Sequence, residues 1–263
     1  VLVSILSLIK NNSAPLNIYI MTIEYENTAA FTEKSAKFLD KLVKEKISSA
    51  FSSYPCKSPL TLIAPRPITR DDALELSTQM PVSQGKLTMG FSTGITVKKN
   101  DDSFYVVTML NEILGGSASS KLFLNVRERL SLCYYCSSSF SGYSGIMLIS
   151  SGFEVKNYAL ARKAILEQIE DIKNGNISDT ELYAAQRSLS SSYKQIFDSP
   201  FELQSFFGNR ALLDVNESID DVISKLLSVT KEDIVRLAGN IKLIASYFVE
   251  GTLSNAVEED DDE

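Results

Sequence analysis

The sequence predicts an α+β fold, a mostly antiparallel sheet with helices packed on one face. Three observations carry this. Strand-like segments at 132–141 and 145–154 are joined by a short turn around Ser141-Gly142, which marks a hairpin. Helical periodicity is gathered in one block from 157 to 239 instead of alternating with single strands. A final apolar strand, KLIASYFV at 242–249, then returns to the sheet.

The elements can be justified in order. NIYIMTIEY at 17–25 alternates as a strand does, with Ile18, Ile20 and Tyr25 as candidate core residues. Residues 28–51 read as a helix. Thr28 is its N-cap, and Phe31, Ala36, Phe38, Leu39, Leu42 and Val43 lie near one face. From Ser52 to Pro67 the chain is proline-rich and aperiodic, a linker or edge segment. KLTMGFSTGITV at 86–97 is the next strand, expected to present an exposed edge. Residues 102–114 form a helix closed by Gly115-Gly116, and a second helix runs from Ser119 to Leu130. The helix at 157–173 stops at Asn174-Gly175. Ser178 with Glu181 three residues on is a capping box for the next. Pro200 opens another, and shorter helices follow at 216–227 and 230–239, the latter capped by Thr230. The domain reading is a terminal strand and helix of a truncated preceding half at 1–55 and a linker and edge segment at 56–85. A main domain follows at 86–250, with a disordered acidic tail at 251–263.

Composition sets further bounds. At 263 residues and 44% hydrophobic content the chain can bury a sizeable core. A net charge of −7 argues against nucleic acid as the primary partner. No apolar run reaches the ~18 residues of a membrane span. The apolar start, VLVSILSLIK, lacks a basic n-region and an initiating Met, so it is not read as a signal peptide, and further residues are expected upstream. Three cysteines do not make a disulfide framework, and a cytoplasmic location is expected. There is no histidine, which excludes Ser-His-Asp and Cys-His catalysis and any histidine metal site within this chain.

Few residues look chemical. Cys133 and Cys136 form a C-x-x-C, but their flanks read as a strand. Residues i and i+3 of a strand face opposite ways, so the sulfurs are expected to diverge. Asp71-Asp72, Asp101-Asp102 and Asp220-Asp221 sit near element starts, where the helix dipole favours acids. Gly115-Gly116-Ser117 lacks the G-K-[ST] of a phosphate loop and follows a helix, not a strand. Arg127 and Tyr134, seven apart across a helix-to-strand reversal, could together hold a carbonyl oxygen as it becomes an oxyanion. On spacing alone a helix-capping Arg and a packed Tyr are the favoured explanation, since both roles are common.

The run from Asn111 to Ser150 carries a resemblance. It has Leu114-Gly115-Gly116, Ser120, Leu122, Val126-Arg127-Glu128 and Leu132-x-Tyr134, in that order, with Ser131 where glycine is usual. This resembles the second-half signature of the inverzincin zinc peptidases, the pitrilysin and insulinase-type family, over about residues 18–250. The resemblance implies a bacterial-type, non-zinc-binding half of a clamshell metallopeptidase. In that family the other half carries H-x-x-E-H, whose zinc and Glu activate water. Carried over residue by residue, Arg127 and Tyr134 would contact substrate and oxyanion, and Gly115, Gly116 and Ser117 would border the substrate groove. Zinc would belong only to the missing half or to a partner subunit. The implied partners are a peptide or unfolded polypeptide substrate and a homologous zinc-bearing half or subunit, with a homodimer as a possibility, and neither nucleic acid nor membrane. The chain alone would be inactive. Two other readings stay open: an inert structural or assembly subunit of the same fold, and a thiol-dependent activity at Cys133 and Cys136.

Overall fold

The computed structural model describes Glu45, Ser49 and residues 65–98 and 101–253. The chain divides into two compact units, Val1–Ile63 and Ala64–Glu263. The strand expected at 17–25, most of the helix at 28–51 and the acidic tail beyond 253 lie outside the described residues.

The second unit is built on a five-stranded sheet. In chain order the strands are β1 (Leu74–Met80), β2 (Gly85–Ser92), β3 (Tyr135–Ser141), β4 (Ile146–Phe153) and β5 (Lys242–Gly251). Their order across the sheet is β1-β5-β2-β4-β3. Among the described residues only the β1–β5 pair is parallel. Six α-helices accompany them among the described residues: α1 (Ser103–Asn111), α2 (Tyr158–Lys173), α3 (Asp179–Gln195), α4 (Pro200–Leu212), α5 (Ile219–Ser228) and α6 (Lys231–Ala238). None is long and apolar enough to cross a membrane.

Strand alternation decides which face is covered. Leu87, Met89 and Phe91 of β2 and Met147, Ile149 and Phe153 of β4 are buried. They meet Leu110, Leu114, Ile165, Ile172 and Ile219 from the helical layer in one core. Each such side chain contributes about 1.5–3 kcal/mol by leaving water. The opposite face is different. Tyr247, Thr88, Ser150 and Ser137 stand in register across four strands, none of them buried.

Local signals place the helices. Ser178 with Glu181 and Thr230 with Asp233 form the expected capping boxes. A third, Ser218 with Asp221, opens α5. Pro200 begins α4 behind a Ser199 cap.

Two expectations are corrected. The strand expected to expose an edge at 86–97 is β2, hydrogen-bonded on both sides by β4 and β5; it is interior and offers no edge. The edges are β1 and β3. The helices expected at 102–114 and 119–130 are α-helical only as far as Asn111. Glu112–Gly116 and Leu122–Arg129 are wider, π-helical segments. Such turns favour functional positions because they break the regular hydrogen-bond ladder.

Candidate functional site

The two π-helical segments lie against β3, and this brings the residues singled out in the sequence into one region. Gly115 is buried under the strand. A Cβ there would come within 2.6 Å of the Ser138 nitrogen and 2.7 Å of Leu122 Cδ1. Its missing side chain therefore lets the first π-helical segment close on β3, and the Ser138 hydroxyl donates to Asn111 O at 3.1 Å to fasten the contact. Gly116 is exposed, with the Glu112 carboxylate where its Cβ would be. Ser117 is half-buried and extended. Its carbonyl accepts from the Ser120 hydroxyl at 2.6 Å, and its own hydroxyl lies 3.1 Å from that of Ser119.

The second π-helical segment is anchored from behind. Lys121 Nζ pairs with Glu181 Oε1 at 2.7 Å, with only 7% of the Lys121 side chain exposed. Burial pushes the Glu181 carboxyl up, but the Lys121 ammonium and the two Ser178 hydrogen bonds outweigh it and hold the group below the usual carboxylate range. Asn125 Nδ2 donates to Gln168 Oε1 of α2 at 2.6 Å.

On that anchored segment, Arg127 Nε donates to the Tyr134 carbonyl at 3.0 Å. Its guanidinium sits 4.6 Å from the Phe123 ring centroid, and Nη1 is 3.3 Å from Glu128 Oε1. Arg127 thus reaches Tyr134, as the sequence suggested, but through the backbone of Tyr134 and not through its phenol. Tyr134 precedes β3 and continues its ladder by donating N–H to Gly152 O at 2.7 Å. Its side chain is 48% exposed, and among the described residues its hydroxyl has no hydrogen-bond partner. Nearby, Glu154 holds the Lys156 ammonium above its usual range.

The chain reaches Tyr134 through a strained turn. Ser131 has φ +49°, the left-handed region that favours glycine. This is the position where the resembled signature has glycine, and the serine bears the cost, roughly 1–2 kcal/mol. A bend at Tyr134, between the two cysteines, corrects the expectation for them. Cys133 precedes β3, so strict alternation does not apply to it. Ser151 Oγ lies 3.0 Å from Cys133 Sγ, and Cys136 pairs across the ladder with the same Ser151. The two side chains do not point to opposite faces: both are buried in the core and both meet Ser151.

With histidine absent and no group of three or more Cys, Asp and Glu close enough to hold a metal among the described residues, these residues do not fit a zinc ion.

Comparison with known proteins settles the relationship. The family profile described as the peptidase M16 inactive domain matches residues 35–189, more than half of the chain. The chain belongs to the peptidase M16 family. It is 34% identical over 178 residues, 68% of its length, to the "Probable inactive metalloprotease YmfF" of Bacillus subtilis. It is 29% identical over 202 residues to the "Uncharacterized zinc protease YmxG" of the same organism. It spans 41% and 48% of those two proteins, less than half of each. Among solved structures, a conserved protein from Enterococcus faecalis superposes with a TM-score of 0.73 at 25% identity, covering 86% of this chain and 57% of that one. The peptidase M16 inactive domain from Pseudomonas fluorescens gives 0.67 at 17% identity, covering 86% and 59%. These folds match the clamshell half that the resemblance implied.

Proposed function

We propose that this M16 domain is the substrate-binding, non-catalytic half of a zinc-dependent peptidase, facing an extended peptide with the edge of β3 and the open sheet face. The observation that carries the reading is the Arg127–Tyr134 clasp. A cation fixes the backbone of a tyrosine whose exposed hydroxyl has no partner among the described residues. A phenol held in that way is pre-organised to donate to a carbonyl oxygen that gains charge. Beside it, β3 is an edge strand whose outward residues Tyr135, Ser137 and Ser139 are small or amphipathic, suited to pairing with extended chain. Zinc and the activated water would come from a homologous half upstream or from a partner subunit, and the whole would work on peptides or unfolded polypeptides in the cytoplasm.

The test is peptide hydrolysis by the full-length protein, alone and with a zinc-bearing homologue. Tyr134→Phe and Arg127→Ala are expected to lower kcat by roughly 10²-fold with the fold intact. Equal rates in parent and variants would overturn the assigned roles.

One observation favours a second reading. Most of the Arg127 fork is already engaged, by Tyr134 O, Glu128 and the Phe123 ring, as expected of an inert assembly subunit whose Arg only braces a turn. Absence of hydrolysis with every zinc-bearing homologue would favour it.

A further inference from the structure

Cys133 and Cys136 take no part in the reading above. Both are free and buried, at 8% and 4% exposure. They flank Tyr134 and Tyr135, so a bond between their sulfurs would close a small ring containing the backbone that Arg127 grips. Three features distinguish the pair from two packed thiols. Both are buried against one residue: Cys136 pairs across the ladder with Ser151, and Cys133 Sγ meets the Ser151 hydroxyl. A hydroxyl donor, Ser151 Oγ, stands 3.0 Å from Cys133 Sγ and also 3.1 Å from the Tyr135 carbonyl, so it can serve either. The more exposed of the two lies in the irregular stretch between the strained Ser131 turn and β3, not inside the ladder.

We propose that Cys133 and Cys136 are a reversible dithiol–disulfide pair, with Cys133 as the attacking sulfur and Cys136 as the resolving one. The chemistry asks for little. The neighbouring Cys136 thiol, with the Ser151 hydroxyl 3.0 Å away, holds the Cys133 thiol below its usual range against the opposing effect of burial, which favours its thiolate. The neighbouring Cys133 and burial push Cys136 up, so it keeps its proton until Cys133 has reacted. The oxidant is a low-molecular-weight disulfide. Cys133 thiolate attacks one of its sulfurs, forming a mixed disulfide and expelling a thiolate. Cys136 then gives up its proton and attacks Cys133 Sγ, expelling the second thiolate. Two protein thiols and one small disulfide become one protein disulfide and two small thiols. Transient disulfides of this kind are the form met in reducing compartments. The effect on peptide binding, through the ring around Tyr134, rests on the function proposed above; the disulfide does not.

The experiment uses the full-length protein carrying Cys56→Ser, equilibrated with graded ratios of oxidised and reduced glutathione, then denatured, alkylated and digested with trypsin. Residues 130–156 leave as one peptide containing both cysteines. The expected product lacks two hydrogens, carries no glutathione and reverts with dithiothreitol. Cys136→Ser should stop at a glutathione adduct on Cys133, and Cys133→Ser should give no adduct at residue 136. A parent that accumulates only a glutathione adduct, or that reacts only after denaturant is added, overturns the proposal, whatever its peptidase activity.

Discussion

The two edges of the sheet differ in almost every respect. β1 runs parallel to β5, is exposed at nearly every position and meets the helical layer through one surface ion pair, Arg162 Nη2 to Glu75 Oε1 at 2.7 Å. β3 runs antiparallel to β4, alternates exposed and buried residues, and is gripped by two π-helical segments. All the candidate chemistry lies at the β3 edge. The difference teaches that an edge alone is only a row of hydrogen-bonding groups. What makes an edge selective is the packing that fixes side chains beside it.

Substitutions at β3 and at β1 should differ in their effects, in a definite order. The largest is Gly115→Ala. Its Cβ has nowhere to go between Ser138 N and Leu122, so urea unfolding should show a loss of about 3 kcal/mol. Next is Lys121→Ala, which leaves Glu181 partly buried without its cation. A loss of about 2 kcal/mol is expected, less than for a fully buried pair because 24% of the Glu181 side chain is exposed. Its sign with pH follows from the lowered Glu181 pKa. The stabilisation is fully present above the unfolded value of 4.5 and is lost as pH falls through the lower folded value. Thermal melts between pH 7 and pH 3 should therefore converge for parent and variant at the acid end. Ser131→Gly should stabilise by about 1 kcal/mol, since it relieves a left-handed serine; a fall in melting temperature would show that the Ser131 hydroxyl bond to Glu128 O outweighs the strain. The smallest effect is at β1: Arg162→Ala should change stability by under about 0.5 kcal/mol, as exposed pairs do, measured by the same unfolding curves.

Much of this was legible in the sequence where local chemistry decides the structure. Ser178-x-x-Glu181 and Thr230-x-x-Asp233 announce their helices because a cap needs only residues three apart. Arg127 and Tyr134 were brought together by the signature around them, and the structure joins them. What was not legible depends on partners distant in sequence. β1 has no buried face to give it an alternating pattern, so LELSTQM did not stand out. β2 looked like an edge because nothing local reports that β5, some 150 residues later, pairs with it. Strand periodicity puts the cysteines on opposite faces, but the backbone bends at Tyr134, between them, and regular alternation begins only at Tyr135. The π-helical width of the segments at 112–116 and 122–129 has no separate signature in apolar spacing.

The place of β5 has a consequence for how the molecule is made. Among the described residues it is the last strand in sequence, yet it lies between β1 and β2 and is the one strand paired with β1. While the ribosome is still adding residues before 242, β1 and one side of β2 wait with unsatisfied backbone groups. Neither can close until the C-terminal segment emerges and inserts. Assembly that depends on such distant pairing is slow, and its waiting edges are open to other chains. A nascent copy is therefore most exposed to mispairing in the interval before β5 emerges, and a premature stop upstream of Lys242 would leave that interval permanent.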